Sequence, residues 1–236
     1  MATLTFRGIS SASLGDVYIQ KMPSHKKAAM RYTEYKVKGR DGTLHVNEGF
    51  DSFDIMATIV LINATASKRQ TVNAWADGTG KLILSDDTTK AYRARVLREI
   101  VWTRDQGNGG FYDIAKITFT CDPFMYEAVD TVLQYTANAT LVNPGSAEAL
   151  PLIKVEGSGD ASFAIDGETI SISGMTSGVP VYIDCETGYV YTEQGATEMT
   201  GEIPVLRMTP SIANPITITL GSGVTKLTIT PHWRWV

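Results

Sequence analysis

Several side-chain groups in this chain invite a chemical reading, and spacing decides each one. Gly78-Thr79-Gly80-Lys81 is half of a phosphate-binding loop. The complete motif needs glycine at 75 and serine or threonine at 82; this chain has Trp75 and Leu82. The glycines also follow an expected helix instead of opening one, so no helix N-terminus faces a phosphate. They read as a helix C-cap leading into a strand. His25, His45 and His232 are scattered, and none has a second histidine or cysteine at metal-ligand spacing. No serine sits in a G-x-S-x-G elbow. Asp184 and Glu186 form a carboxylate pair, but any β protein with 25 acidic residues offers such pairs. Arg40-Asp41-Gly42 lacks the spaced acids of a calcium loop, and a hairpin turn explains it. No catalytic, cofactor or metal site is expected, and no enzyme.

Two cysteines, Cys121 and Cys185, fall in expected strands of different halves. A pair so far apart is not a disulfide framework, and both read as reduced core residues. The C-terminal His232-Trp233-Arg234-Trp235 sets two tryptophans at i, i+2, on one face of an expected terminal strand. Three readings stay open for Trp233 and Trp235. They close a core or pack two domains together, they contact another subunit, or they stack on a sugar. Galectin sugar sites use a His-x-Asn-x-Arg strand, which the second half lacks. His45-Val46-Asn47 lies in the other half without the arginine.

The elements that hold these residues are mostly strands. With 236 residues, 43% hydrophobic and 19% charged, the chain has material for two cores. A net charge of −4 and no long basic block exclude a surface built to grip phosphates. The N-terminus has neither the basic region nor the apolar core of a signal peptide. The apolar run Ile55 to Ile62 is interrupted by Thr58 and too short to span a bilayer, so no membrane insertion is expected.

In the first half, Leu4 to Phe6 reads as a strand. Arg31 to Lys38 alternates, with Tyr35 and Val37 on one side, and returns through Thr43-Leu44-His45-Val46 after an Asp41-Gly42 turn. That hairpin, about Tyr32 to Gly49, is long and polar enough to project. Phe53 to Ile62 lacks clean alternation, which predicts burial on both faces. A helix starts at Thr65 or Ser67 and ends near Ala76, docking through Val72 and Trp75. Strands follow at Lys81 to Leu84, Tyr92 to Val101, and up to Cys121, ending at Asp122-Pro123. Gln106 to Gly110 reads as a flexible tip.

About Ala137 to Leu150, rich in Asn, Ala, Gly and Pro, reads as the joint between halves, and from Leu150 the pattern changes. Short strands recur at Leu152–Val155, Ser162–Ile165, Thr169–Ile172, Val179–Asp184, Tyr189–Thr192, Ile203–Met208, Ile216–Leu220 and Leu227–Thr230. The breaks are Asp166-Gly167, Ser173-Gly174, Thr187-Gly188 and Gly221-Ser222-Gly223. The fold class is therefore mainly β in two domains. Residues 1–136 form a β-sandwich-like domain with one helix and a projecting hairpin. Residues 137–236 form a jelly-roll or galectin-like sandwich.

The order of motifs resembles one family, the distal tail proteins of long-tailed bacteriophages. Phe6-x-Gly8, Ser10-Ser11 and Leu14-Gly15 are similar to its opening. Gly39-Arg40-Asp41-Gly42 is similar to its hairpin. Trp75-Ala76-Asp77-Gly78-x-Gly80-x-Leu82-x-Leu84-Ser85 resembles its helix-to-strand signature, and Asp122-Pro123-Phe124-x-Tyr126 its domain exit. Asn143-Pro144-Gly145, Pro151 and Val181-x-Ile183-Asp184 continue the order. The chain departs from the family at Thr209 to Asn214, where a Pro-Gly-x-Asn turn is usual, and at Ala76, where leucine is frequent.

The resemblance implies a non-enzymatic virion protein, assembled in the host cytoplasm. First domains would form a homo-hexameric ring at the tail tip, joining the tail tube protein to tail-tip, tail-associated or receptor-binding proteins. DNA would pass through the bore without specific binding. In that reading Tyr35, Val37, Arg40, Asp41, Leu44 and Val46 are expected at the subunit interface, with Trp233 and Trp235 as a further contact. The alternatives are a carbohydrate-binding module for host-surface recognition and another tail tube or baseplate component.

Overall fold

A two-residue period governs almost the whole chain and a helical period only one stretch. The computed structural model describes residues 2–107, 110–209 and 214–236. The centre of the glycine-rich tip expected at 106–110, and most of the departure at 209–214, lie outside them. The chain divides into two units, one ending at Ala128 and one running Val129–Trp235.

In the first unit the strands are β1 (Leu4–Phe6), β2 (Ile9–Ser10), β3 (Val17–Ile19), β4 (Met30–Tyr35), β5 (Leu44–Phe50) and β6 (Phe53–Ile62). After α1 (Ala66–Ala76) come β7 (Thr79–Leu84), β8 (Asp87–Val96), β9 (Trp102–Gly107) and β10 (Gly110–Glu127). Eight of them make one antiparallel sheet in the order β2-β1-β7-β8-β10-β6-β3, with β9 also paired to β10. β4 and β5 pair only with each other.

The helix begins where the sequence places it. The Thr65 hydroxyl accepts a hydrogen bond from the Lys68 N–H at 3.2 Å, satisfying an otherwise orphaned donor. Val72, Trp75 and Ala76 are buried on the sheet. The Trp75 ring stands edge-on to Phe6 and Phe119, each 6.2 Å away, and its indole N–H donates to the Ile9 carbonyl at 2.9 Å.

Three strand expectations are corrected. Along β6, Ile55, Ala57, Ile59 and Leu61 are buried while Met56 and Ile62 are exposed. The strand therefore alternates and has one buried face, not two. Its second face is apolar without being covered by its own chain, which periodicity alone does not distinguish from burial. β10 continues through Pro123: three residues, 122–124, stand opposite Arg93 in an irregular stretch between Cys121 and Met125. A proline is tolerated there because no regular ladder bond is lost. The expected strand Tyr92 to Val101 ends at Val96, and β9 begins at Trp102 instead, running through unassigned polar residues into the expected tip at Gln106 and Gly107.

The second unit contains β11 (Leu133–Tyr135), β12 (Ala139–Leu141), β13 (Leu152–Gly157), β14 (Gly159–Ile165), β15 (Glu168–Met175), β16 (Val181–Asp184), β17 (Tyr189–Thr192), β18 (Gly195–Ala196), β19 (Ile216–Leu220) and β20 (Val224–Thr230). A six-stranded sheet, β11-β20-β13-β16-β17-β18, and a four-stranded sheet, β12-β19-β14-β15, share one core. Ile153, Val155, Ile183, Leu227 and Ile229 come from the first sheet, and Phe163, Ile165, Ile170, Ile216 and Ile218 from the second. This is the expected β-sandwich. Leu133 pairs with Ile229, so strand pairing in this unit starts before residue 137. β15 runs through Ser173-Gly174, where a break was expected, by means of a register shift. Ile203–Met208 forms no strand, only an isolated bridge between Ala149 and Leu206.

Candidate assembly surfaces

β4 and β5 form an arm. Thr33 pairs with Val46 and Tyr35 with Leu44, so these four share a face. Tyr35, Val46 and Leu44, with Val37 just beyond the strand, are 39–52% exposed. The other face carries Tyr32, Glu34, His45 and Asn47. There the Tyr32 and His45 rings meet edge-on at 5.0 Å, and the Glu34 carboxylate lies 3.7 Å from His45 Nδ1. The arm is thus a two-stranded ribbon with one apolar and one polar face. An isolated pair of strands is marginal in water unless something covers it.

Its tip differs from the expected two-residue turn. Residues 36–43 separate the last registered pair, Tyr35 and Leu44. Gly39 and Gly42 take positive φ, 84° and 77°, while Asp41 does not. Arg40 donates its backbone N–H to the Val37 carbonyl at 3.2 Å. Arg40 and Asp41 lie exposed in this loop with Lys36 and Lys38, giving three cations to one anion.

The large sheet offers a second surface. Around residues 113–115, near the start of β10, its order is β9-β10-β6-β3. Among the described residues no strand pairs with the far edge of β9 or of β3. Unpaired edges present a row of backbone donors and acceptors. Between them lies the uncovered face, where Val60 opposes Ile114, Thr58 opposes Lys116 and Met56 opposes Thr118. Met56 is 60% exposed. The sequence reading missed this surface. The signal was present in β6, whose apolar residues are too many for one covered face.

One buried charge cluster fixes β9. Asp113, on the core side of β10, accepts hydrogen bonds from Arg104 of β9 at 2.9 Å and from Arg69 of the helix. The Arg104 bond, joined by Arg69, holds the Asp113 carboxyl below its ordinary value against the opposing effect of burial.

The remaining candidates fall into structural roles. Lys81 donates to the carbonyls of Glu127 and Ala128 at 3.0 and 3.3 Å, tying down the end of β10. Gly80 passes close to Arg7: a Cβ there would come within 2.6 Å of the Arg7 side chain. The cysteines are buried in separate units, and burial pushes both thiols up to about 12. Asp184 accepts the backbone N–H groups of Glu186 and Thr187, so the carboxylate pair serves a turn. Among the described residues no group of three or more His, Cys, Asp or Glu could hold a metal ion. Trp233 is only 3% exposed, inside the core of the second unit, and Trp235 packs partly buried against the same core. The core-closing alternative therefore describes Trp233, which has no face left for a partner or a sugar. In place of the terminal strand expected there, Arg234 and Trp235 form bridges, that of Arg234 with Ala147.

No family model and no curated protein matches the chain. Among solved structures, two chains of the phage p2 baseplate in its activated conformation, with Ca and with Sr, match over 97% of each chain. Their TM-scores are 0.52 and 0.50, at 9% identity. The SPP1 Dit protein (gp 19.1), described as a paradigm of the hub adsorption apparatus in phages infecting Gram-positive bacteria, matches at a TM-score of 0.72. That match covers 98% of both chains at 14% identity. At such identities the likeness is one of fold: from end to end, this chain is built like SPP1 Dit.

Proposed function

We propose that the protein is a structural component of a phage tail tip and catalyses no reaction. Copies close into a ring through their first units, residues 1–136 in the sequence division, six copies by analogy with distal tail proteins. The ring joins the tail tube to tail-tip, tail-associated or receptor-binding proteins, and the galectin-like second units surround it. It assembles in the host cytoplasm and DNA passes through its bore. The carrying observation is an apolar-faced arm and two free sheet edges on one unit, in a chain folded like SPP1 Dit throughout.

In this reading the arm lays Tyr35, Val37, Leu44 and Val46 on the neighbouring copy, and the Arg40-Asp41 tip helps set the register. Joining the edge of β9 to that of β3 in the next copy would continue the sheet around a closed ring and abolish its edges. The uncovered face would then line the bore. It carries Met56, Thr58, Val60 and Thr118 with Lys116, and Arg95 and Arg98 on the same side are paired with Asp122 and Asp54; a wall whose arginines are neutralised in this way does not strongly retain phosphates. Charge mapping on the assembled ring tests this point, and a strongly basic inner wall rejects it.

Light scattering tests the ring. The expected mass is near six times 25.7 kDa. Deleting Lys38 to Leu44 should leave a folded monomer. A full-length chain that stays monomeric, or a deletion variant that still closes, defeats the proposal. Open tubes of indefinite length would favour a tail tube component instead. A sugar-binding second unit loses its strongest support with the burial of Trp233; a glycan array on the full chain tests what is left.

A further inference from the structure

The arm is joined to its unit through the segment 20–29 before β4 and the short link between β5 and β6. Within that segment one side chain makes two bonds to the body. His25 Nδ1 lies 3.1 Å from the Tyr92 hydroxyl, and its Nε2 lies 2.9 Å from Asp86 Oδ2. A carboxylate only accepts, so Nε2 carries the proton and donates to Asp86. In the neutral ring Nδ1 then accepts from the Tyr92 O–H. Tyr92 suits that part: it is buried on β8, and burial pushes its hydroxyl up to about 12, so it stays a neutral donor. The next residue adds a tie, since the Lys26 ammonium donates to the Asp54 carbonyl at 2.6 Å. Beyond it Ala28 is buried, and the Asp51 N–H donates to the Ala29 carbonyl at 2.8 Å, closing the arm's base. On the far side of the base, Phe50 meets Phe124 edge-on at 5.6 Å.

From this geometry we infer that His25, held between Tyr92 and Asp86, is a positioning residue that sets the arm for docking. The inference rests on the proposed role of the arm in assembly. A ribbon without packing of its own must be aimed by its base. Each degree of freedom removed beforehand lowers the ordering cost when the arm meets its partner. His25 itself touches no partner. It acts by fixing the segment from which β4 starts.

The test uses the full chain. Hydrogen exchange is followed in peptides spanning residues 48–53, which contain the Asp51 amide, with peptides from 55–62 as an internal control. His25→Ala should speed exchange at the base roughly tenfold and leave the control unchanged. His25→Gln, which keeps one donor and one acceptor on a flexible stem, should restore most of the protection. Unchanged exchange in His25→Ala overturns the inference. Equal loss in both variants also overturns it, because the argument rests on two hydrogen bonds and not on ring packing. Association is measured separately by mass, where His25→Ala should weaken assembly roughly tenfold. If the base loosens but assembly is untouched, the positioning inference fails along with the arm's role. If deleting the arm tip abolishes the ring while His25→Ala leaves the base protected, only the inference fails.

Discussion

The molecule contains two hairpins built on the same local signal, with different outcomes. In the second unit β14 and β15 meet at Asp166-Gly167, where Ile165 pairs directly with Glu168. Both turn residues take positive φ, 54° and 91°, as a tight hairpin of the right twist requires. In the first unit Asp41-Gly42 sits inside a loop of residues 36–43, and only the glycine is left-handed. The strands flanking Asp166-Gly167 carry Phe163, Ile165, Ile170 and Ile172 into a core. Those flanking Asp41-Gly42 carry Tyr35, Leu44 and Val46 into solvent. Turn chemistry permits a tight hairpin, and burial of one face enforces its register. An arm with an apolar face and no core to hold it is unfinished within its own chain.

Truncating an apolar residue in each hairpin should separate the two most widely. Phe163→Ala removes a ring from a filled core and should cost about 3–5 kcal/mol, read by chemical denaturation. Tyr35→Ala and Val46→Ser should change the stability of the dissociated chain by less than about 0.5 kcal/mol. Their effect should fall on assembly, read as a shift from ring to monomer mass. A large loss of monomer stability in either arm variant would mean that the arm already has its partner within the chain.

A middle-sized effect is expected where an exposed strand has little apolar burial beyond Trp102 at its start. β9 is solvent-facing along most of its length, yet its Arg104 is tied to the buried Asp113. Asp113→Asn should destabilise by about 2 kcal/mol at neutral pH, since two guanidinium groups lose their carboxylate. The sign with pH follows from the lowered folded value. The ion cluster stabilises fully above the ordinary carboxylate value of 3.8, and this is lost as pH falls through the lowered one. Wild type and variant should therefore converge in acid. A difference that persists unchanged below pH 3 would reject the electrostatic account.

Where one face is buried, the sequence reads well. Val72 and Trp75 at helical spacing, and Ile153, Val155, Ile216 and Ile218 at spacing two, are where the period puts them. The arm's apolar face, Tyr35 with Leu44 and Val46, follows the same two-residue alternation although it is exposed. What misled were positions whose setting only the tertiary structure supplies. β6 reads as buried on both sides because Met56, Val60 and Ile62 are apolar. β9 is not read as a strand because Thr103, Arg104 and Asp105 are polar and Gln106 falls in the expected tip. For Trp233 the sequence leaves core closure, a subunit contact and sugar stacking all open until a core is present to receive it. Pro123 reads as a stop because its missing N–H matters only in a regular ladder, and the ladder there is irregular.

The smallest expected effect bears directly on the two turns. Gly167→Ala places a Cβ on a backbone at φ 91°, a strained conformation for an L-residue, and should cost about 1 kcal/mol. Gly42 has φ 77°, so the intrinsic strain of Gly42→Ala is similar. Its surroundings differ. Gly167 cannot relax without shifting Ile165 and Glu168, and with them the buried face of both strands. Gly42 lies in a loop that pins no buried residue, although at both glycines nothing lies within 4 Å of the position a Cβ would take. The loop can redistribute the strain, so Gly42→Ala should cost less than half as much in thermal denaturation of the dissociated chain. Equal costs would show that the tip is held as firmly as the core turn, and the arm would then be a finished element and not one waiting for a neighbour.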